Sequence, residues 1–208
     1  MCNFTIAHRS ATRNPKVALD VGAVTYPRPV ATFALIHGAG DAGWYWHLVE
    51  TELRARGHDT VAPDLPCDDD TAGLPEYADA VVAAIGDRTD VVVVGQSLGG
   101  FTAPIVAERV PTRLIVLVAA MIPQPGESPA ESETRLAEPS PLRAWPDIPT
   151  RVLACRDDRM FPLPYLRRVS EQRLGIASDE IDGGHTPALS RPRELADRLE
   201  AYASEVGG

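Results

Sequence analysis

Gly95-Gln96-Ser97-Leu98-Gly99 places a serine at the centre of a G-x-S-x-G pattern. Four valines, Val91–Val94, run into it, and Phe101–Val110 follows with helical spacing. A sharp strand-to-helix turn there would strain the serine backbone and lift its hydroxyl clear of the sheet, as an acyl-transfer nucleophile requires. The same turn brings the residues two before and two after the serine together, so both must be glycine or very small. The backbone N–H of Leu98, at the start of a helix whose dipole favours negative charge, is suited to hold a developing oxyanion. An ordinary serine in a glycine-rich turn would account for the glycines, but not for the valine strand and the helix around them.

The elements that must position this turn alternate regularly. Val30–Ile36, Asp59–Ala62, Val91–Val94, Arg113–Ala120, Arg151–Cys155 and Gly175–Ile181 read as short strands. Trp44–Arg56 (apolar at Trp44, Leu48, Val49 and Leu53), Leu74–Ile85, Phe101–Val110, Tyr165–Arg173 and Arg193–Ala203 read as helices between or after them. Strands apolar on both faces that alternate with helices imply an α/β fold, a mostly parallel sheet with helices on both faces. Residues 1–29 are mixed and polar and read as an N-terminal extension or edge element, leaving 30–208 as the domain. Residues 122–149 carry seven prolines and little apolar content. They read as a short, lid-like excursion.

Composition narrows the chemistry further. The 208 residues suit roughly one domain. Asp and Glu number 29 against 20 Lys and Arg, a net charge of −9 that repels phosphate backbones and anionic lipid. Neither nucleic acid nor a membrane is an expected partner. Lys16, in the leader, is the only lysine, which disfavours Schiff-base and pyridoxal-phosphate chemistry. The three cysteines (Cys2, Cys67, Cys155) include no close pair, so no disulfide framework or Cys-based zinc site is expected. The histidines lack metal-ligand spacing, and the run Asp68-Asp69-Asp70 reads as a solvated loop. No metal and no cofactor are expected. No signal-peptide or membrane-spanning stretch is legible, so a reducing cytoplasm is the expected compartment.

Several segments together resemble the α/β-hydrolases, in particular the small branch of plant-type esterases and hydroxynitrile lyases. They are Leu35-Ile36-His37-Gly38-Ala39-Gly40, Gly43-Trp44-Tyr45-Trp46, Gly57-His58, Ala62-Pro63-Asp64-Leu65, the Ser97 motif, Asp158-Arg159-Met160-Phe161-Pro162 and Gly183-Gly184-His185. The resemblance covers about residues 30–205. It implies Ser97 as nucleophile, followed in the chain by an acid and a histidine. His185, on a Gly-Gly loop after the last strand, is the implied base. Asp157 and Asp158 both follow the Arg151–Cys155 strand. The resemblance places the acid four residues before Pro162 and so selects Asp158, to orient the imidazole and stabilise its charged form. It also assigns the second oxyanion donor to the N–H of Ala39. The His37–Gly40 turn matches neither common phosphate-loop pattern.

Hydrolysis of a carboxylic ester or thioester through an acyl-enzyme is the leading expectation, with a small-molecule substrate. A hydroxynitrile-lyase-like C–C lyase is the first alternative. That branch pairs a threonine in the first loop with a lysine after the histidine, where this chain has Gly38 and Thr186. A small-molecule binding protein on the same fold is the second alternative. Trp44, Trp46, Phe101, Met121, Met160 and Phe161 are candidate pocket residues. Members of the resembled family usually carry a larger cap than 122–149 allows, so an open, shallow site is expected, or one completed by a partner subunit.

Overall fold

Alternation along the valine-rich strands sets the architecture. Val91 and Val93 point to one face of the sheet and Val92 and Val94 to the other, so each face needs its own cover of helices. A computed structural model describes residues 31–129 and 135–206. The reading of residues 1–29 falls outside them. The strands are β1 (Thr32–Ile36), β2 (Asp59–Val61), β3 (Val91–Ser97), β4 (Thr112–Ala120), β5 (Thr150–Cys155) and β6 (Asp179–Ile181). They form a sheet of order β2-β1-β3-β4-β5-β6 in which every neighbouring pair is parallel.

The helices are α1 (His47–Ala55), α2 (Leu74–Ile85), α3 (Gly99–Ala107), α4 (Leu163–Leu174), α5 (Pro187–Ser190) and α6 (Pro192–Val206). Val81 and Ile85 of α2, Phe101 and Val106 of α3 and Val169 of α4 pack on Ala34, Ile36, Val91, Val93, Ile115 and Leu117. On the opposite face, Val49 and Leu53 of α1 and Leu195 and Leu199 of α6 pack on Phe33, Leu35, Val92, Val94, Leu114 and Val116. This is the α/β sheet with two helical layers that the periodicity implies.

Local departures have physical causes. Trp44–Trp46 belongs to a 3-10 turn before α1, and Trp44 is 67% exposed, so the buried side of this segment runs through Tyr45, Trp46, Val49 and Leu53. Gly175 does not open a strand; it caps α4 in the left-handed conformation, and β6 starts only at Asp179. The one-turn α5 carries no periodicity that a sequence reading could use.

The described parts of the 122–149 excursion contain a short 3-10 turn, Arg135–Ala137. Leu136, Trp145 and Ile148 rest against the α2–α3 layer. Arg173 on α4 bonds both the Ile122 carbonyl and Glu127, which ties the start of the excursion down.

Two carboxylates supply a pH signature. Arg167 and Arg156 hold Glu180 below the ordinary carboxylate range, and the Gly73 N–H, 2.8 Å away, does the same for Glu76 at the start of α2. A carboxylate depressed in the folded state stabilises it above the unfolded pKa of about 4.3 and stops doing so as the pH falls. The urea midpoint is therefore expected to be level above about pH 5 and to fall steadily below about pH 4. A midpoint that rises on acidification would contradict this.

Candidate active site

The turn between β3 and α3 is built by close backbone approach. Ser97, the last residue of β3, has φ +53°, a left-handed conformation rare for a residue with a side chain. A Cβ on Gly95 would lie 2.6 Å from the Gly99 carbonyl oxygen, and one on Gly99 would lie 2.8 Å from that of Ile36. No side chain fits at either place, which explains the glycines flanking Ser97. On the neighbouring strand, Gln96 pairs with Val118 and Ser97 with Ala120, so Ala119 bulges out at φ +44°. The Met121 N–H then bonds the Ser97 carbonyl at 2.9 Å, fixing the turn to β4.

The loops after β5 and β6 bring the other two residues to Ser97. Asp157 N–H bonds the Gly183 carbonyl at 3.0 Å, so the two loops run side by side. His185 Nε2 lies 3.0 Å from Ser97 Oγ, and His185 Nδ1 lies 2.8 Å from Asp158 Oδ2. The Asp158 side chain is fully buried, and its Oδ1 accepts the N–H groups of Met160 at 2.8 Å and Phe161 at 3.0 Å. A carboxylate only accepts, so Nδ1 carries the ring proton and Nε2 is the lone-pair nitrogen facing the serine. Asp157 is exposed, and the carboxylate that meets the His185 ring is that of Asp158. Phe161 packs edge-on against the His185 ring, centroids 5.2 Å apart.

Leu98 caps α3 directly after the serine. Ala39 lies in the exposed turn after β1, beside Gly38, whose would-be Cβ comes within 2.8 Å of Ser97 Cβ. His37 is fully buried behind that turn. It accepts the Leu65 N–H at 3.2 Å on Nε2, so Nδ1–H donates to the Gly38 carbonyl at 2.8 Å. Of the candidate pocket residues, Trp46 and Phe101 are buried core, Met121 and Phe161 are half-buried, and Trp44 and Met160 are exposed. His47 stacks on Trp44, and His58 is buried between Ala31 and Glu200. Asp69 caps its own loop through Thr71. Among the described residues, no group of three or more His, Cys, Asp or Glu could hold a metal. Burial, reinforced by the charges of Asp158 and Asp157, pushes the Cys155 thiol at the end of β5 up to about 12. A cavity of about 360 Å³ lined by Ser190, Arg191, Arg193, Glu194 and Asp197 lies at the α5–α6 junction, and none of Ser97, Asp158 and His185 borders it.

The model of the alpha/beta hydrolase family matches residues 33–142, more than half of the chain. The chain belongs to the alpha/beta hydrolase family. The match includes Ser97; Asp158 and His185 lie beyond it. Methylesterase 7 of Arabidopsis thaliana is 30% identical over 128 residues, 55% of this chain and 49% of the relative. Probable esterase PIR7A of Oryza sativa subsp. indica is 37% identical over 109 residues, 46% of this chain and 41% of the relative. The chain thus spans about half the length of the curated relatives it matches. Polyneuridine aldehyde esterase superposes with a TM-score of 0.71 at 20% identity, covering 84% of this chain and 100% of that one. A pyrethroid hydrolase from Sphingobium faniae JZ-2 gives 0.71 at 19%, covering 84% and 98%. Both show likeness of fold.

One side chain of this α/β-hydrolase escaped the sequence reading. Gln96, 3% exposed, donates from Nε2 to the His185 carbonyl at 2.9 Å, and its Oε1 lies against Gly38. It therefore touches both the turn after β1 and the histidine loop. Its place before the serine was the available signal, but a glutamine in a strand carries no mark of its partner. Gln96→Leu would leave the His185 carbonyl without that donor, at a cost of about 1–3 kcal/mol. The amides of Gly184, His185 and Thr186 are then expected to exchange at least about tenfold faster by hydrogen-exchange mass spectrometry. Rates within about twofold of the parent would show that the bond does not hold the loop.

Proposed function

We propose that this protein hydrolyses carboxylic esters through a covalent acyl-Ser97 intermediate. The observation that carries the reading is the continuous contact from Ser97 Oγ through the His185 ring to Asp158. In this reading, His185 Nε2 takes the hydroxyl proton as Ser97 Oγ attacks the ester carbonyl. Asp158 keeps the ring in the tautomer that presents Nε2 and stabilises the imidazolium. The N–H groups of Leu98 and Ala39 bind the oxyanion. As the tetrahedral adduct collapses, the imidazolium protonates the departing alcohol. Water, deprotonated by the same nitrogen, then attacks the acyl-enzyme; the second adduct collapses, releases the acid and returns the proton to Ser97. The names of the curated relatives, a methylesterase and a probable esterase, support the ester as substrate class.

Gly38 has a definite part in this scheme. A methyl group there would lie 2.7 Å from Gln96 Oε1 and 2.8 Å from Ser97 Cβ, so a side chain would displace the nucleophile or the turn that carries Ala39. We read the 122–149 excursion as a reduced lid beside an open, shallow pocket.

Ser97→Ala is expected to abolish hydrolysis of p-nitrophenyl esters, and Asp158→Asn to lower kcat by about 10²–10⁴. Gly38→Ala is expected to lower kcat at least about tenfold. Parallel assays on ester, thioester, lactone and amide substrates, with Ser97→Ala as the blank, test the reaction class. Turnover that survives Ser97→Ala would contradict Ser97 as nucleophile, and no Ser97-dependent labelling by a fluorophosphonate would favour a binding protein. Across acyl chains, a broad response with modest affinity is expected; a narrow optimum with tight binding would contradict the open pocket.

A further inference from the structure

The large apolar side chains that remain exposed among the described residues are Trp44, Leu48, Met160, Tyr165 and Leu189. Isolated exposed apolar residues are ordinary on protein surfaces. These five are not scattered. All lie in three segments that follow the carboxyl ends of β1, β5 and β6, where the turn of Gly38, Asp158 and His185 are also found. Trp44 is 67% exposed in the turn that leads from Gly38 into α1, and Leu48 follows it on that helix. Met160 is 65% exposed and stands two residues after Asp158. Tyr165 stacks on Phe161, centroids 6.2 Å apart, and Phe161 in turn packs on His185, so an aromatic path runs from the site to the surface. Leu189 lies on α5, four residues after His185, and its neighbour Ala188 is buried in the same cluster as Tyr45 and Trp46. The α5 segment therefore shares its buried footing with the Trp44 segment.

Charge follows the same pattern. In a chain of net charge −9, the exposed arginines Arg159, Arg168, Arg191 and Arg193 accompany these segments without an ion pair to any described carboxylate. The Arg168 guanidinium lies over the Tyr165 ring, 5.5 Å from its centroid. Trp, Tyr and Arg bury apolar surface while keeping a polar end in water, which suits them to an interface between an apolar phase and water.

Resting on the esterase reading, we propose that this surface docks on neutral ester aggregates, the surface of an emulsified droplet, and so presents Ser97 to substrate within it. A protein seated there would cover the site, whereas an ester phase supplies it. Hydrolysis also leaves carboxylates at the droplet surface, and the arginines meet that charge.

The test uses the Ser97→Ala protein, so that binding is read without turnover, in flotation of emulsified tributyrin through a dense sucrose step. The protein is expected to float with the droplets, and adding Trp44→Ser and Met160→Ser is expected to lower the partition coefficient at least about tenfold. Ser97→Ala remaining in the aqueous layer would overturn the proposal. So would a multiple variant that partitions within about twofold of Ser97→Ala, or preferential binding to anionic-lipid vesicles. Sedimentation velocity showing a dimer that the same two substitutions dissolve would overturn it too, by making a second copy the occupant. The parent's turnover of dissolved p-nitrophenyl acetate separates the two ideas. Turnover of that ester without flotation refutes the docking alone, and flotation without turnover of any ester refutes the proposed activity.

Discussion

The left-handed backbone of Ser97 is the constraint on which the site depends. Held at φ +53°, it turns the end of β3 sharply into α3, and such a conformation in a residue with a side chain costs about 1–3 kcal/mol. The surroundings enforce it. Gly95 and Gly99 bring their backbones together, the β4 bulge at Ala119 accommodates the turn, and Met121 N–H holds the Ser97 carbonyl. The strain is sustained by the middle of a sheet buried on both faces. A serine in relaxed strand geometry would lie along the sheet, unable to meet an imidazole arriving from β6, three strands away.

Orientation of that imidazole comes from the other side. Asp158 is buried with three N–H groups directed at it, two from its own loop and one from His185. The carboxylate thus cannot swing away without leaving backbone donors unpaired, and the ring cannot flip without losing its partner. Gln96 adds a third restraint by holding the His185 backbone from the strand that ends in Ser97. Rigid sheet elements and paired loops, not the exposed surface, set the distances.

Much of this was legible before any coordinates. The valine strand, the paired glycines and the helix after Leu98 announce the turn because each has a local physical cause. The α2 boundaries, Leu74–Ile85, follow from periodicity and the glycines at either end. Asp158 and His185 were found by resemblance; 27 residues separate them, and no local pattern says that their loops run together. What stayed hidden was tertiary. Trp44 and Leu48 share helical spacing with Val49 and Leu53, but Trp44 lies in a 3-10 turn before α1 and both are exposed. Trp46 and Phe101 are candidate pocket residues by sequence, and packing assigns them to core. Gln96 spans 89 residues to its partner, a contact without a signature in composition or spacing.

The proposed chemistry is open to direct capture. The most direct measurement is peptide mass spectrometry of protein quenched in acid within the first turnovers of an activated ester. The account predicts one added acyl group, located on the peptide containing Ser97 and lost in later quenches as the intermediate is hydrolysed. Steady ester turnover with that peptide unmodified at every quench time, or with the acyl group on another residue, would contradict it.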